Sequence, residues 1–188
     1  MEKERCKWVT NDPLYIKYHD EEWGNMDRFN DDRYLFEMLL LEGAQAGLSW
    51  ITILKRRENY RHAFDNFDPK IIATYTSDKK GALLEDKGII RNKRKIESAI
   101  RNAKAFLQVQ EEYGSFHAFL WEIVGRRQII NHWEYHEEVP AKSVESEKLS
   151  KELKKRDFSF VGPVICYSFM QAVGLINDHT KSCFLYGE

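Results

Sequence analysis

Leu41-Glu42-Gly43-Ala44-Gln45-Ala46-Gly47-Leu48-Ser49-Trp50 is the stretch on which the reading of this chain turns. Upstream, Leu35, Phe36, Leu39 and Leu40 recur with helical spacing, which places Glu42 at the end of an amphipathic helix. Downstream, Ser49 is a good N-cap for a helix carrying Trp50, Ile53, Leu54, Tyr60 and Phe64. A carboxylate beside the apolar side of a helix is costly to bury unless something binds it. The residues alone admit two readings. In one, the stretch is a helix-loop-helix turn with Glu42 in water. In the other, Glu42 and Trp50 face one pocket and Gly47-Leu48 forms a protruding loop tip.

Working outward, the same helical grammar repeats. Asp68-Pro69 starts a short helix with proline in its first position. Ser77 caps another that runs to Lys87 and stops at Gly88. Asn92 caps a longer helix from Lys93 to about Glu112, ended by Gly114, and Ser115 opens one through Val124, ended by Gly125. Between Arg126 and Val144 the pattern fades into a loop. Ser146 starts a charged helix to Arg156, and Pro163 begins one with an apolar stripe of Ile165, Phe169, Ala172, Val173 and Ile176. Period-two alternation is absent, so the fold class is all-α.

Length and composition narrow the classes further. The chain has 188 residues, 43% of them hydrophobic, which suits one globular domain spanning 1–188. No apolar run approaches a membrane span, and Met1-Glu2-Lys3-Glu4-Arg5 lacks the apolar core of a signal peptide. Three widely spaced cysteines point to a reducing cytosol rather than a disulfide framework. The net charge of −1 gives no global attraction to nucleic acid, so a DNA-binding role requires a local basic patch. One such patch exists. Lys87, Arg91, Lys93, Arg94, Lys95, Arg101 and Lys104 stand against the single acid Glu97. They lie where Gly88, able to take a positive φ, turns one helix into the next, whose N-terminal amides suit a phosphate. A solvated basic helix is the alternative.

Cys6, His19, His179 and Cys183 form a candidate metal set. His179 and Cys183 are four apart, on one face if helical, and a Cys2His2 set is a closed structural zinc site rather than a catalytic one. Small buried residues are the alternative for the cysteines. Cys166 sits inside an apolar helix and reads as packing, and His132 and His136 read as surface positions. Trp8, Tyr15, Tyr18 and Trp23 make an aromatic-dense N-terminal region that reads either as core or as pocket wall.

The opening stretch, together with Cys6-Lys7-Trp8, Tyr15 to Gly24, Phe160-Val161-Gly162, Cys166 to Ala172 and Asn177-Asp178-His179, resembles the 3-methyladenine DNA glycosylase I family from Cys6 to about Cys183. The resemblance implies a helix-hairpin-helix glycosylase fold, with the hairpin at about 83–104 and the termini tied by zinc at Cys6, His19, His179 and Cys183. It implies a monofunctional, monomeric base-excision enzyme that hydrolyses the N-glycosidic bond of 3-methyladenine in double-stranded DNA. Glu42 would be the key acidic residue. Tyr18 and Trp50 would enclose the flipped base, with Tyr15, Trp8, Trp23 and Ser168 beside them. Gln45, Gly47, Leu48, Gly88, Arg91, Lys93 and Lys95 would meet DNA, Leu48 as a wedge. The types fit the chemistry, because aromatic faces attract the cationic base and a carboxylate accepts from its exocyclic amino group. The hairpin is a variant, and two departures from other helix-hairpin-helix glycosylases restrict the mechanism. Ile90 stands where a hairpin usually has its second glycine. No Asp occurs from Lys87 to Arg156 to activate water, as in the family the chain resembles, and the register puts Asn92 at the Schiff-base position of bifunctional relatives, with Lys93 there if the register slips by one residue. A non-catalytic alkylated-DNA binding module is therefore the rival expectation.

Overall fold

The structure, a computed structural model, describes residues 3–187, so Met1, Glu2 and Glu188, including the start of the charged N-terminal run, lie outside it. Helices dominate: α1 (Pro13–Glu21), α2 (Asp32–Gln45), α3 (Trp50–Leu54), α4 (Arg57–Ala63), α5 (Pro69–Ile72), α6 (Ser77–Glu85), α7 (Lys93–Tyr113) and α8 (Phe116–Val124). After a two-residue strand β1 (Ile129–Ile130) come α9 (Val144–Lys155), α10 (Pro163–Ala172) and strand β2 (Ile176–Asn177). The two strands pair in parallel, Ile129 opposite Ile176. Among the described residues no helix is long and apolar enough to cross a membrane.

The core forms around α2. Tyr34 through Leu39 are buried without interruption, followed by Leu41 to Ala44. The helix therefore sits against α3, α7, α8 and α10 and is enclosed on nearly every side, instead of presenting the single apolar stripe expected of an amphipathic helix. Its start is set by Asp31, whose side chain accepts from the amides of Arg33 and Tyr34. Asp32 then accepts from the amides of Phe116 and His117, so the first turn of α2 also caps the entry to α8.

Other boundaries differ from the sequence reading for local reasons. Thr76, not Ser77, caps α6, and Ser143, not Ser146, caps α9, where Ser143 and Ser146 bond reciprocally. The hydroxyl of Ser49 bonds that of Thr52 and makes no capping bond to the backbone. The expected long helix after it is broken at Lys55-Arg56 into α3 and α4. Ile176 lies in β2 rather than on α10. Gly88 has no positive φ; a Cβ there would sit 3.0 Å from the Asn59 Cβ and 3.0 Å from Asp86 Oδ1. That glycine is required by close approach of α4, not by a left-handed turn.

Candidate functional site

Two carboxylates lie five residues apart on buried α2, and their surroundings are opposite. Glu37 is gripped by Arg57 Nε at 2.5 Å and Arg61 Nη2 at 2.8 Å, and Arg57 is held in turn by Glu22 through two bonds of 2.7 and 2.8 Å. Glu42 is 4% exposed, and its Oε2 has no hydrogen-bond partner among the described residues. Burial pushes its carboxyl up to about 8, so at neutral pH it holds its proton. A buried polar atom of this kind is normally satisfied.

Glu42 opens onto a pocket of about 390 Å³. Trp8, Tyr15, Tyr18, Trp23, Trp50 and Ser168, all anticipated, line it together with Gln45. The ring centroids of Tyr18 and Trp50 are 5.4 Å apart and tilted by 49°. Trp8 meets Tyr15 and Trp23 edge-on at 5.3 and 5.1 Å. The indole Nε1 atoms of Trp8 and Trp50 are also buried and unpartnered among the described residues. Burial first, then the neighbouring Glu42 carboxylate, pushes the Tyr18 phenol well above its ordinary value, so it remains a neutral ring.

Of the remaining wall, only Ser168 was anticipated. Val164, Tyr167, Ser168 and Gln171 fall at i, i+3, i+4 and i+7 of α10, and their polar members interrupt an otherwise apolar helix. That stripe was a readable signal. Asp178 has no comparable sequence signal. It accepts from Tyr167 Oη at 2.5 Å and from Gln171 Nε2, Asn131 Nδ2 and Trp133 Nε1, each at 2.7 Å. It thereby ties α10 to the segment after β1. That segment brings His136, Val139, Pro140 and Ala141 to the mouth of the pocket, so His136 is a pocket residue rather than a plain surface one.

Behind the aromatic wall the four metal candidates converge, with all donor atoms within 4.8 Å of one another and every residue buried. Cys6 Sγ lies 3.5 Å from His179 Nδ1. Cys183 Sγ lies 3.4 Å from His179 Nδ1 and 3.5 Å from His19 Nε2. Zinc–ligand lengths at a tetrahedral angle separate sulfur from nitrogen by about 3.5 Å. The outer nitrogens have partners of their own: His19 Nδ1 faces Asp20 Oδ1 at 2.8 Å and His179 Nε2 faces the Trp23 carbonyl at 3.2 Å. These acceptors fix the tautomers so that both inner lone pairs point at the sulfurs. Arg5 anchors Asp20 through two bonds. Hydrogen bonding from Cys6, against the opposing effect of burial, holds the Cys183 thiol well below its usual range. The donor set, spacing and outer partners fit a four-coordinate cation that joins the two ends of the chain. Trp23 packs on His19 and His179, with centroids at 6.1 and 4.7 Å, so this cluster buttresses the pocket wall.

The expected DNA-facing residues divide. Gly47 has φ +79° with open space around it, and Leu48 follows it 40% exposed at the loop tip. Arg91 and Lys93 are exposed at the start of α7, after the Gly88 turn. Lys95 departs from expectation: its Nζ donates to the carbonyls of Ala44 at 2.7 Å and Ala46 at 2.8 Å. Its charge is directed at the C-terminal end of α2 rather than outward.

Comparison with known proteins decides the family. A family model described as methyladenine glycosylase matches residues 8–186. The chain belongs to the methyladenine glycosylase family. Among similar members, DNA-3-methyladenine glycosylase 1 of Escherichia coli (strain K12) is 50% identical over 183 residues, covering 97% of each chain. DNA-3-methyladenine glycosylase of Haemophilus influenzae is 46% identical, covering 95% of this chain and 96% of its own. A crystal structure of a 3-methyladenine DNA glycosylase I variant in complex with 3-methyladenine superposes with a TM-score of 0.91 at 36% identity, covering 95% of both chains. The methyladenine glycosylase fold is thus the one built around α2 here.

Proposed function

We propose that this chain, as one glycosylase domain, excises 3-methyladenine from alkylated double-stranded DNA, acting as a monomer in the cytoplasm. The observation that carries the reading is the unpartnered, buried Oε2 of Glu42 at the base of an aromatic pocket. A methylated adenine is cationic while attached to the sugar and carries an exocyclic amino group. Such a ligand supplies both the charge that draws the Glu42 proton off and the donor that its oxygen lacks. The faces of Tyr18 and Trp50 add cation–π attraction, worth ~2 kcal/mol when desolvated.

Hydrolysis then breaks the bond between the sugar C1′ and the base nitrogen. The electron pair goes to the base and neutralises it. A water oxygen bonds to C1′ and releases a proton, leaving an abasic sugar and free 3-methyladenine. Because the base departs readily, the pocket's work is to hold it flipped and oriented. Leu48 serves as the wedge that fills its vacated place. The α6–turn–α7 pair acts as a helix-hairpin-helix, with Gly88, Arg91 and Lys93 meeting backbone phosphate and Gln45 and Gly47 lining the strand beside the wedge.

Cys6, His19, His179 and Cys183 would hold zinc. Bound there, the ion supplies a structural crosslink between the termini and offers no open position for water. The test is chromatography of bases released from methylated duplex DNA. Free 3-methyladenine appearing with time supports a glycosylase. Tight binding of methylated DNA with no base released would make the chain a damage-binding module instead.

A further inference from the structure

We propose that Lys95 is a positioning residue that locks the Gly47-Leu48 loop to the start of α7. Seating α7 on the DNA backbone and inserting Leu48 then become a single event. The inference rests on the wedge reading of Leu48. Lys95 is the third residue of α7, and its backbone is pinned on both sides: the Asn92 side chain accepts from its amide at 3.1 Å, and Ser98 Oγ donates to its carbonyl at 2.7 Å. A cation in the first turn opposes its own helix dipole. Lys95 escapes that penalty by reaching across to the opposite pole of another helix. Its ammonium donates to Ala44 and Ala46 carbonyls, 51 and 49 residues away in sequence.

Those two oxygens bracket Gln45, where α2 ends because Ala46 leaves the helical region at φ −45°, ψ 116°. The Leu48 amide closes on the Gln45 carbonyl at 2.6 Å. The ammonium grips the oxygens on either side of it. A bond to the last carbonyls of a helix is a normal way to satisfy them. Here the donor comes from the helix that carries the exposed cations Lys93 and Arg94 and directly follows exposed Arg91. Lys95 is half-buried and burial lowers its pKa, in keeping with a charge turned inward. The wedge loop is therefore referenced to the phosphate-facing turn rather than only to the pocket.

The experiment is a double-mutant cycle on the full-length protein, with Lys95→Met, Leu48→Ala and the double variant. It reads single-turnover excision from methylated duplex DNA, calorimetric affinity for free 3-methyladenine, and the salt dependence of duplex binding. Lys95→Met should slow duplex excision roughly tenfold to a hundredfold, the loss expected for one charged hydrogen-bonding group. It should leave free-base affinity and the salt slope unchanged. The double variant should excise no more slowly than Leu48→Ala alone, because both changes remove the same step. Lys95→Arg, which can still donate to both carbonyls, should recover most of the rate and keeps the proposal testable should Lys95→Met fold poorly. Losses that multiply in the double variant overturn the coupling. A salt slope reduced as a phosphate contact would reduce it overturns the positioning role, and so does a parallel fall in free-base affinity. If Leu48→Ala is itself silent on duplex DNA, the wedge reading fails, and the proposal with it.

Discussion

Replacing Glu42 by glutamine separates charge from shape at the position where the pocket chemistry is concentrated. The wild-type carboxyl, raised by burial from 4.5 to about 8, is roughly one tenth ionised at pH 7. If the ionised form receives the cationic base, the empty enzyme is mostly in the wrong protonation state at neutral pH. Its apparent affinity is then reduced by the competent fraction. Excision at subsaturating enzyme should climb about tenfold per pH unit below pH 8 and level off above it. Glu42→Gln should be slower at pH 8 and flat across pH 6 to 9, since it has no proton to lose. The same substitution makes a stability prediction of determined sign. A carboxyl whose folded value is raised contributes stability that is fully present below its unfolded value near 4.5 and lost as pH rises through about 8. The full loss is at most about 5 kcal/mol, taking ~1.4 kcal/mol per pH unit. Glutamine cannot lose it, though its amide adds a donor with no acceptor, costing ~1–3 kcal/mol. Urea titrations should therefore show the variant gaining on the wild type by a few kcal/mol between pH 5 and pH 9. Circular dichroism checks that both chains are folded. A wild-type excision profile that is flat from pH 6 to 9, or a variant that retains the slope, would refute the reasoning.

Three other outcomes are expected. Protein purified without chelator should contain one zinc per chain, and prolonged chelation should lower thermal stability and weaken 3-methyladenine binding, because the Trp8–Trp23 wall leans on the two histidines; metal analysis and calorimetry check both. Replacing Arg91 and Lys93 by glutamine should weaken duplex binding irrespective of sequence and reduce its salt slope by about 2, read from fluorescence anisotropy at several salt concentrations. Leu48→Ala should slow excision from duplex DNA by at least tenfold, while calorimetry finds free-base affinity unchanged, because a wedge acts on the flipped state and not on the pocket.

Much of the helical layout was legible because its signals are local. Asp68-Pro69, Asn92 with Gly114, and Ser115 with Gly125 each mark an end through bonds made within a few residues. Two caps lie slightly upstream of the residues read from the sequence: the Thr76 side chain accepts from the Lys79 amide and the Ser143 side chain from the Ser146 amide, and neighbouring hydroxyl residues leave such a boundary uncertain by a few positions. The stretch from Leu41 to Trp50 carried its message for a similar reason. Glycine at 47 permits the positive φ that thrusts Leu48 out, and a carboxylate near the end of an apolar helix is conspicuous wherever it points.

Burial and partnership, by contrast, were decided by the tertiary structure. Glu37 and Glu42 look alike in sequence; Arg57 and Arg61 from α4 neutralise one, and nothing among the described residues neutralises the other. Lys95 reads as one more cation in a basic run, and only the end of α2, some fifty residues earlier, turns it inward. Gly88 reads as a turn glycine until the approach of Asn59 shows what its missing side chain makes room for. Asp178 and His136 reach the pocket through contacts spanning α10, β2 and the segment after β1. The chain by itself determined its helices, its donor types and the residues able to bind a cation or a base. Which of those groups are left unsatisfied, and therefore available for chemistry, depends on what other elements bring against them, because the cost of burying a polar group is set by its neighbours in space.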